Sequence, residues 1–130
     1  CRVGVIDPNL ETDFGLGDDA SFSVSKNFDR MNAPDSYDFG ISAATFAIAE
    51  NGALVMKDKD MSDRMIAIAP WVHVAVLKKS TIVKTIVEGL AETVDCPYAI
   101  WVGGPSKTSD VEGVLVEGVH GPGVQACLII

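Results

Sequence analysis

Hydrophobic positions in this chain fall into short runs more often than into long stripes, and the runs are rich in β-branched residues. RVGVI at 2–6 is an apolar run that stops at Asp7-Pro8, the pattern of a buried strand closed by a turn. WVHVAVL at 71–77 places Val72, Val74 and Val76 on one face and Trp71, His73 and Ala75 on the other, as a strand does. YAIWV at 98–102 and ACLII at 126–130 read as two further strands. TFAIAENGALVM at 45–56 has two apolar arms around Asn51-Gly52. Asn-Gly is the strongest short hairpin signal, because both residues tolerate the positive φ of a type I′ turn, and Glu50 would stand at the shoulder of that hairpin.

Helical spacing is confined to two places. In STIVKTIVEGLAETV at 80–94, residues Ile82, Val83, Ile86, Val87, Leu90 and Val94 recur at helix period with Lys84 and Glu88 outside, and Ser80 is a good N-cap. RMIAIAP at 64–70 reads as a short helix ended by Pro70. Strand, helix and strand between 71 and 102 then form a βαβ unit, expected to be right-handed with a parallel strand pair. From Asn9 to Ser36 the chain is acidic and rich in turn residues, which predicts a long loop with one strand near Phe22–Val24. No repeat, low-complexity tract or composition break divides the chain, so residues 1–130 read as one layered α/β domain.

Composition narrows the function. With 130 residues and 48% hydrophobic residues, the chain can bury a real core. Its formal net charge of -8 repels phosphate backbones and anionic lipid surfaces, which argues against a nucleic-acid or membrane partner. No apolar run reaches the roughly 18 residues needed to span a bilayer. Cys1, Cys96 and Cys127 show no CxxC spacing, so neither a disulfide framework nor a thiolate metal site is readable, and a reducing cytosol is the simpler location. The chain opens on Cys1 with a strand already under way, so a preceding segment is expected.

Candidate chemistry lies near the end. GGPSKTSD at 103–110 follows the strand AIWV; its glycines allow close backbone approach, and Ser106, Thr108 and Ser109 bring hydroxyl donors. Ser109 to Glu112 has capping-box spacing, so a helix turn is expected there, aimed at a carboxylate or phosphate. The plainer reading is a tight turn and an ordinary cap with nothing bound, and Asp110 and Glu112 weaken an anion site. GVHGP at 118–122 sets His120 in a glycine-flanked loop where packing gives little reason for an imidazole; proton transfer, metal ligation and a simple loop histidine all fit. His73, by contrast, sits on a strand face that should be covered, as a hydrogen-bonded core histidine or a ligand contact. Two histidines with no third ligand at metal spacing do not make a zinc site. Glu50 before Asn-Gly is either an edge glutamate or a nucleophile or base, in a setting similar to the glutamate of class I coenzyme A transferases.

Taken together, IAENGAL, RMIAIAPWVHVAVL and GGPSKTSDVEGVLVEGVHGP resemble the lactate utilization protein C family, also called the LUD domain. The similarity covers about residues 38 to 130. It implies a Rossmann-like three-layer α/β sandwich with a mainly parallel sheet, similar to ribose-5-phosphate isomerase, glucosamine-6-phosphate deaminase and coenzyme A transferases, the NagB/RpiA/CoA transferase-like fold. It also implies an N-terminal segment that this chain mostly lacks. The implied role is as a non-redox accessory protein or subunit in cytosolic oxidation of L-lactate to pyruvate, alongside iron-sulfur partner subunits. No cofactor of its own is expected, and whether it catalyses a reaction stays open. In that reading Gly104, Ser106, Thr108, Asp110 and His73 bind a small carboxylate or phosphate, His120 supplies a proton or a second bond, and Glu50 orients the ligand or accepts a proton. Two alternatives remain, a coenzyme A transferase or sugar-phosphate isomerase-like enzyme using Glu50, and a pure protein-interaction module. A homo-oligomer is compatible with each.

Overall fold

The computed structural model describes residues 2–29, 31, 36–109, 115–117 and 121–130. In chain order the strands are β1 (Arg2–Ile6), β2 (Phe22–Ser25), β3 (Phe39–Ala44), β4 (Phe46–Ile48) and β5 (Ala53–Lys57). Helix α1 (Met65–Ile68) precedes β6 (Val72–Leu77) and β7 (Ile82–Val83), and helix α2 (Ile86–Ala91) precedes β8 (Ala99–Val102). The chain closes with β9 (Lys107–Ser109), β10 (Leu115–Glu117) and β11 (Val124–Ile129).

The runs RVGVI, WVHVAVL and ACLII became strands of one sheet. Its order is β11-β6-β3-β1-β2 and every pairing in it is parallel. A second sheet has the order β7-β4-β5-β8, and β9 pairs antiparallel with β10. The fold is thus mixed α/β with a mainly parallel central sheet and few helices, in keeping with a Rossmann-like three-layer class.

One face of the parallel sheet, carrying Ala75 and Leu77, packs on Ala67 of α1 and on Leu54 and Met56 of β5. The opposite face, with Ile6, Ile41 and Val76, is covered by Leu10, Phe14 and Leu16 from the acidic loop, so part of that loop is a lid on the core. Helix α1 comes close because residue 40 is glycine: a Cβ there would collide with the Ile66 carbonyl. Ile66 is fully buried, which contributes about 2 kcal/mol.

Three local expectations change. The βαβ unit from 71 to 102 does not form: β6 lies between β3 and β11, while β8 pairs antiparallel with β5 in the other sheet. The cause is Ile82-Val83, whose β-branched side chains suit a strand; the pair aligns parallel with Ala47 and Ile48 of β4 and carries the chain into the second sheet. The helix consequently starts at Thr85, not Ser80. The Thr85 side chain accepts from the Glu88 N–H, and Glu88 reaches back to the Thr85 N–H, a complete capping box. The turn at Asn51-Gly52 joins β4 to β5 as expected, yet it is not type I′: Gly52 has φ 70° while Asn51 stays at negative φ.

Candidate functional site

The segment GGPS leaves β8 through Gly104, whose φ of 91° is open to glycine and strained for other residues. The helix turn expected after Ser109 would fall on residues 110–114, outside the described residues. Ser109 ends strand β9 and pairs with Leu115, and Thr108 pairs with Val116, in antiparallel register. Asp110 and His120 lie outside the described residues, as do the remaining residues of 110–114 and 118–120.

Gly104 and Ser106 line a cavity of about 320 Å³ together with Gly121 and Pro122, the end of the GVHGP motif. The two distant polar turns therefore meet. Trp101, Ile100 and Ile68 supply apolar wall, and Gln125 of β11 supplies an amide. The cavity sits at the amino-terminal end of β11. It is at the carboxyl end of β8, as the sequence implied, but β8 belongs to the second sheet.

His73 lies behind this wall, fully buried. The parallel register sets Gly40 of β3, His73 of β6 and Gln125 of β11 side by side, so their side chains share one face. His73 Nδ1 is 2.9 Å from Gln125 Oε1, and His73 Nε2 is 2.8 Å from Ser42 Oγ. Gln125 Nε2 donates to the Ala126 carbonyl at 3.4 Å, which turns Oε1 toward the ring. Nδ1 therefore carries the proton. Burial holds the His73 pKa below its ordinary value, against a smaller opposing effect of the Gln125 bond, so the ring is neutral and Nε2 accepts from the Ser42 hydroxyl.

The direction of this chain has a consequence for the cavity. With this tautomer the donors run Ser42 to His73 to Gln125, and Gln125 ends the chain with its NH₂. One amide hydrogen goes to Ala126; the other has no protein acceptor among the described residues. The Gln125 amide and Ser106 line the same cavity, with no lysine or arginine among its described lining residues.

Glu50 is placed elsewhere. It is exposed, does not line this cavity, and its Oε2 accepts the Ile86 N–H at 2.8 Å at the start of α2. The register Leu54↔Val102 nevertheless brings the Glu50-Asn51-Gly52 turn to the same end of the second sheet as Gly103. Of the tryptophans, Trp101 is a cavity wall, whereas Trp71 is more than half exposed and lies over Gly123. Sequence reasoning missed Gln125 and Ser42. Gln125 is the chain's one glutamine, set at the start of an apolar strand, and that interruption was the available signal.

Comparison with known proteins agrees with the motifs. The family model described as LUD domain matches residues 19–130. The chain belongs to the LUD domain family. A relative of this LUD domain, lactate utilization protein C of Deinococcus radiodurans, is 34% identical over 93 residues, covering 68% of this chain and 44% of that protein. The Bacillus subtilis protein of the same name is 28% identical over 117 residues, covering 84% and 48%. The LUD domain described here spans about half the length of the curated relatives it matches. A crystal structure of a DUF162 family protein from Deinococcus radiodurans superposes with a TM-score of 0.69 at 18% identity, covering 98% of this chain and 74% of that one. That likeness speaks to the fold.

Proposed function

We propose that this LUD domain binds a short hydroxy- or keto-carboxylate such as L-lactate or pyruvate, and serves as a non-redox accessory protein or subunit in cytosolic lactate oxidation alongside iron-sulfur partners. The observation that carries the reading is the Gln125 amide, hydrogen-bonded to buried His73 and lining a cavity with Ser106 and Gly104. A carboxylate accepts from such donors, and the walls of Trp101, Ile100 and Ile68 suit a methyl group. The absence of a cation among the described lining residues favours a single negative charge over a phosphate dianion. Thr108, Asp110 and His120 belong to the same two segments and would complete the ligand's surroundings in this reading, with His120 as the proton carrier. The names of the relatives supply the lactate connection.

Isothermal titration of L-lactate, pyruvate and inorganic phosphate tests it. Both carboxylates bind and Gln125→Leu weakens them by about tenfold or more, the cost of one charge-assisted hydrogen bond. Equal or tighter binding of phosphate, or affinity untouched by Gln125→Leu, would overturn the reading. The proximity of the Glu50 turn to Gly103 gives the enzyme alternative its one support. Acyl exchange between coenzyme A esters that disappears in Glu50→Gln would favour it instead.

A further inference from the structure

A second cavity, of about 680 Å³, opens at the other end of the parallel sheet, and it is where this topology leaves a crevice. From β1 the chain crosses to β2 on one side, whereas β3 is followed across the sheet by β6 and β11 on the other. The connections therefore diverge at the carboxyl ends of β1 and β3, and open α/β sheets bind ligands at such a point. The cavity lies there, between the loop after β1, the end of β3 and the turn after β6.

Its walls are fixed by hydrogen bonds that the fold alone does not require. Asp7, fully buried at the end of β1, accepts the Asn9 N–H at 3.0 Å and the Ser62 N–H at 3.2 Å, which clamps the β1 loop against the segment before α1. The Thr45 hydroxyl accepts the Lys57 N–H at 3.0 Å and donates to Asp60 Oδ2 at 2.7 Å, so the Asp60 carboxylate is held in place with its other oxygen unused by Thr45. Across the turn after β6, the Thr81 hydroxyl donates to the Lys78 carbonyl at 2.8 Å and steadies the residue that brings a cation. Lys78 lines the cavity and makes no ion pair with Asp60 or any other carboxylate among the described residues.

A cation and an oriented carboxylate that face one cavity without meeting can be bridged by a ligand that carries complementary groups. We infer that this crevice is a second binding site, for a small molecule with one anionic group and several hydroxyls: the anion pairs with Lys78, and hydroxyls donate to Asp60. Glu11, which also lines the space, adds a second acceptor for hydroxyls and disfavours a dianion. The volume is within the range of about 300 to 1,000 Å³ of small-molecule sites. The site is separate from the Gln125 cavity and does not depend on what that cavity binds.

The probe is D-gluconate, which has both groups, titrated calorimetrically against the whole chain beside D-glucose, which lacks the anion, and hexanoate, which lacks the hydroxyls. Gluconate binds with one-to-one stoichiometry, glucose and hexanoate at least about tenfold more weakly, and Lys78→Ala and Asp60→Asn each weaken gluconate by about tenfold or more. Gln125→Leu leaves gluconate affinity unchanged. Lys78 is exposed, so Lys78→Ala keeps the fold and gives a reading even if Asp60→Asn perturbs it. Failure of gluconate to bind, parity with hexanoate, or indifference to Lys78→Ala overturns the inference.

Discussion

His73 shows how a single side chain can be both core and informative about a site. An imidazole buried in the sheet needs both nitrogens satisfied, and Ser42 and Gln125 do this. Because burial lowers its pKa, the folded protein refuses a proton that the unfolded chain accepts below the ordinary value of 6.5. Stability is therefore insensitive to this group above that pH and falls as pH drops below it, by up to about 1.4 kcal/mol per pH unit, until the folded pKa is reached. Urea unfolding at pH 7.5 and 5.5 checks this: the native chain loses stability over the interval, and His73→Gln removes most of the loss. The surface carboxylates Asp19 and Asp38, whose pKa values are lowered by backbone N–H bonds from Ser21 and Val3, act in a separate window below 3.8.

At the scale of elements, the strand runs at 2–6, 71–77, 98–102 and 126–130 and the short helix α1 were legible, whereas the inner strand β3 and the start of α2 were not. RVGVI, WVHVAVL and ACLII alternate β-branched residues between turns, and no helix competes for such runs. In STIVKTIVEGLAETV the apolar residues satisfy a helix and a strand equally, and tertiary pairing decided: Ile82-Val83 joined β4, and α2 began where Thr85 and Glu88 form their box. The T-x-x-E spacing was present in the sequence and marks the start better than Ser80 did. Helix α2 buries little of its apolar face, with Val87 at 76% and Leu90 at 54% exposure, so capping matters more to it than packing. Thr85→Ala is expected to cost about 1 kcal/mol, seen as a lower urea midpoint with an unchanged slope, whereas Thr85→Ser keeps most of the stability. The loop GGPS was legible as a turn that could line a cavity, because glycine and hydroxyls after a strand are a local signal. The Gln125 donor was not, since its meaning depends on a histidine 52 positions away that only the parallel register brings beside it.

For the whole molecule, the arrangement of sheets places two cavities at opposite ends of one parallel layer. Strands β6 and β11 span the distance: His73 and Gln125 lie at their amino ends, and Lys78 and Ile130 just beyond their carboxyl ends. The Gln125 cavity depends on the second sheet, which carries Trp101 and delivers Gly104, so it is the property of the assembled layers and of no single motif. The most direct measurement is a titration of L-lactate into the uniformly ¹⁵N-labelled chain, followed by amide resonances. Saturable shifts at the backbone amides of Gly103, Gly104 and Ser106 and at the Gln125 side-chain amide, with Asn9 and Thr45 unmoved, are the predicted result. A saturating titration that leaves those four signals in place, or moves only residues at the carboxyl end of the sheet, would contradict the account.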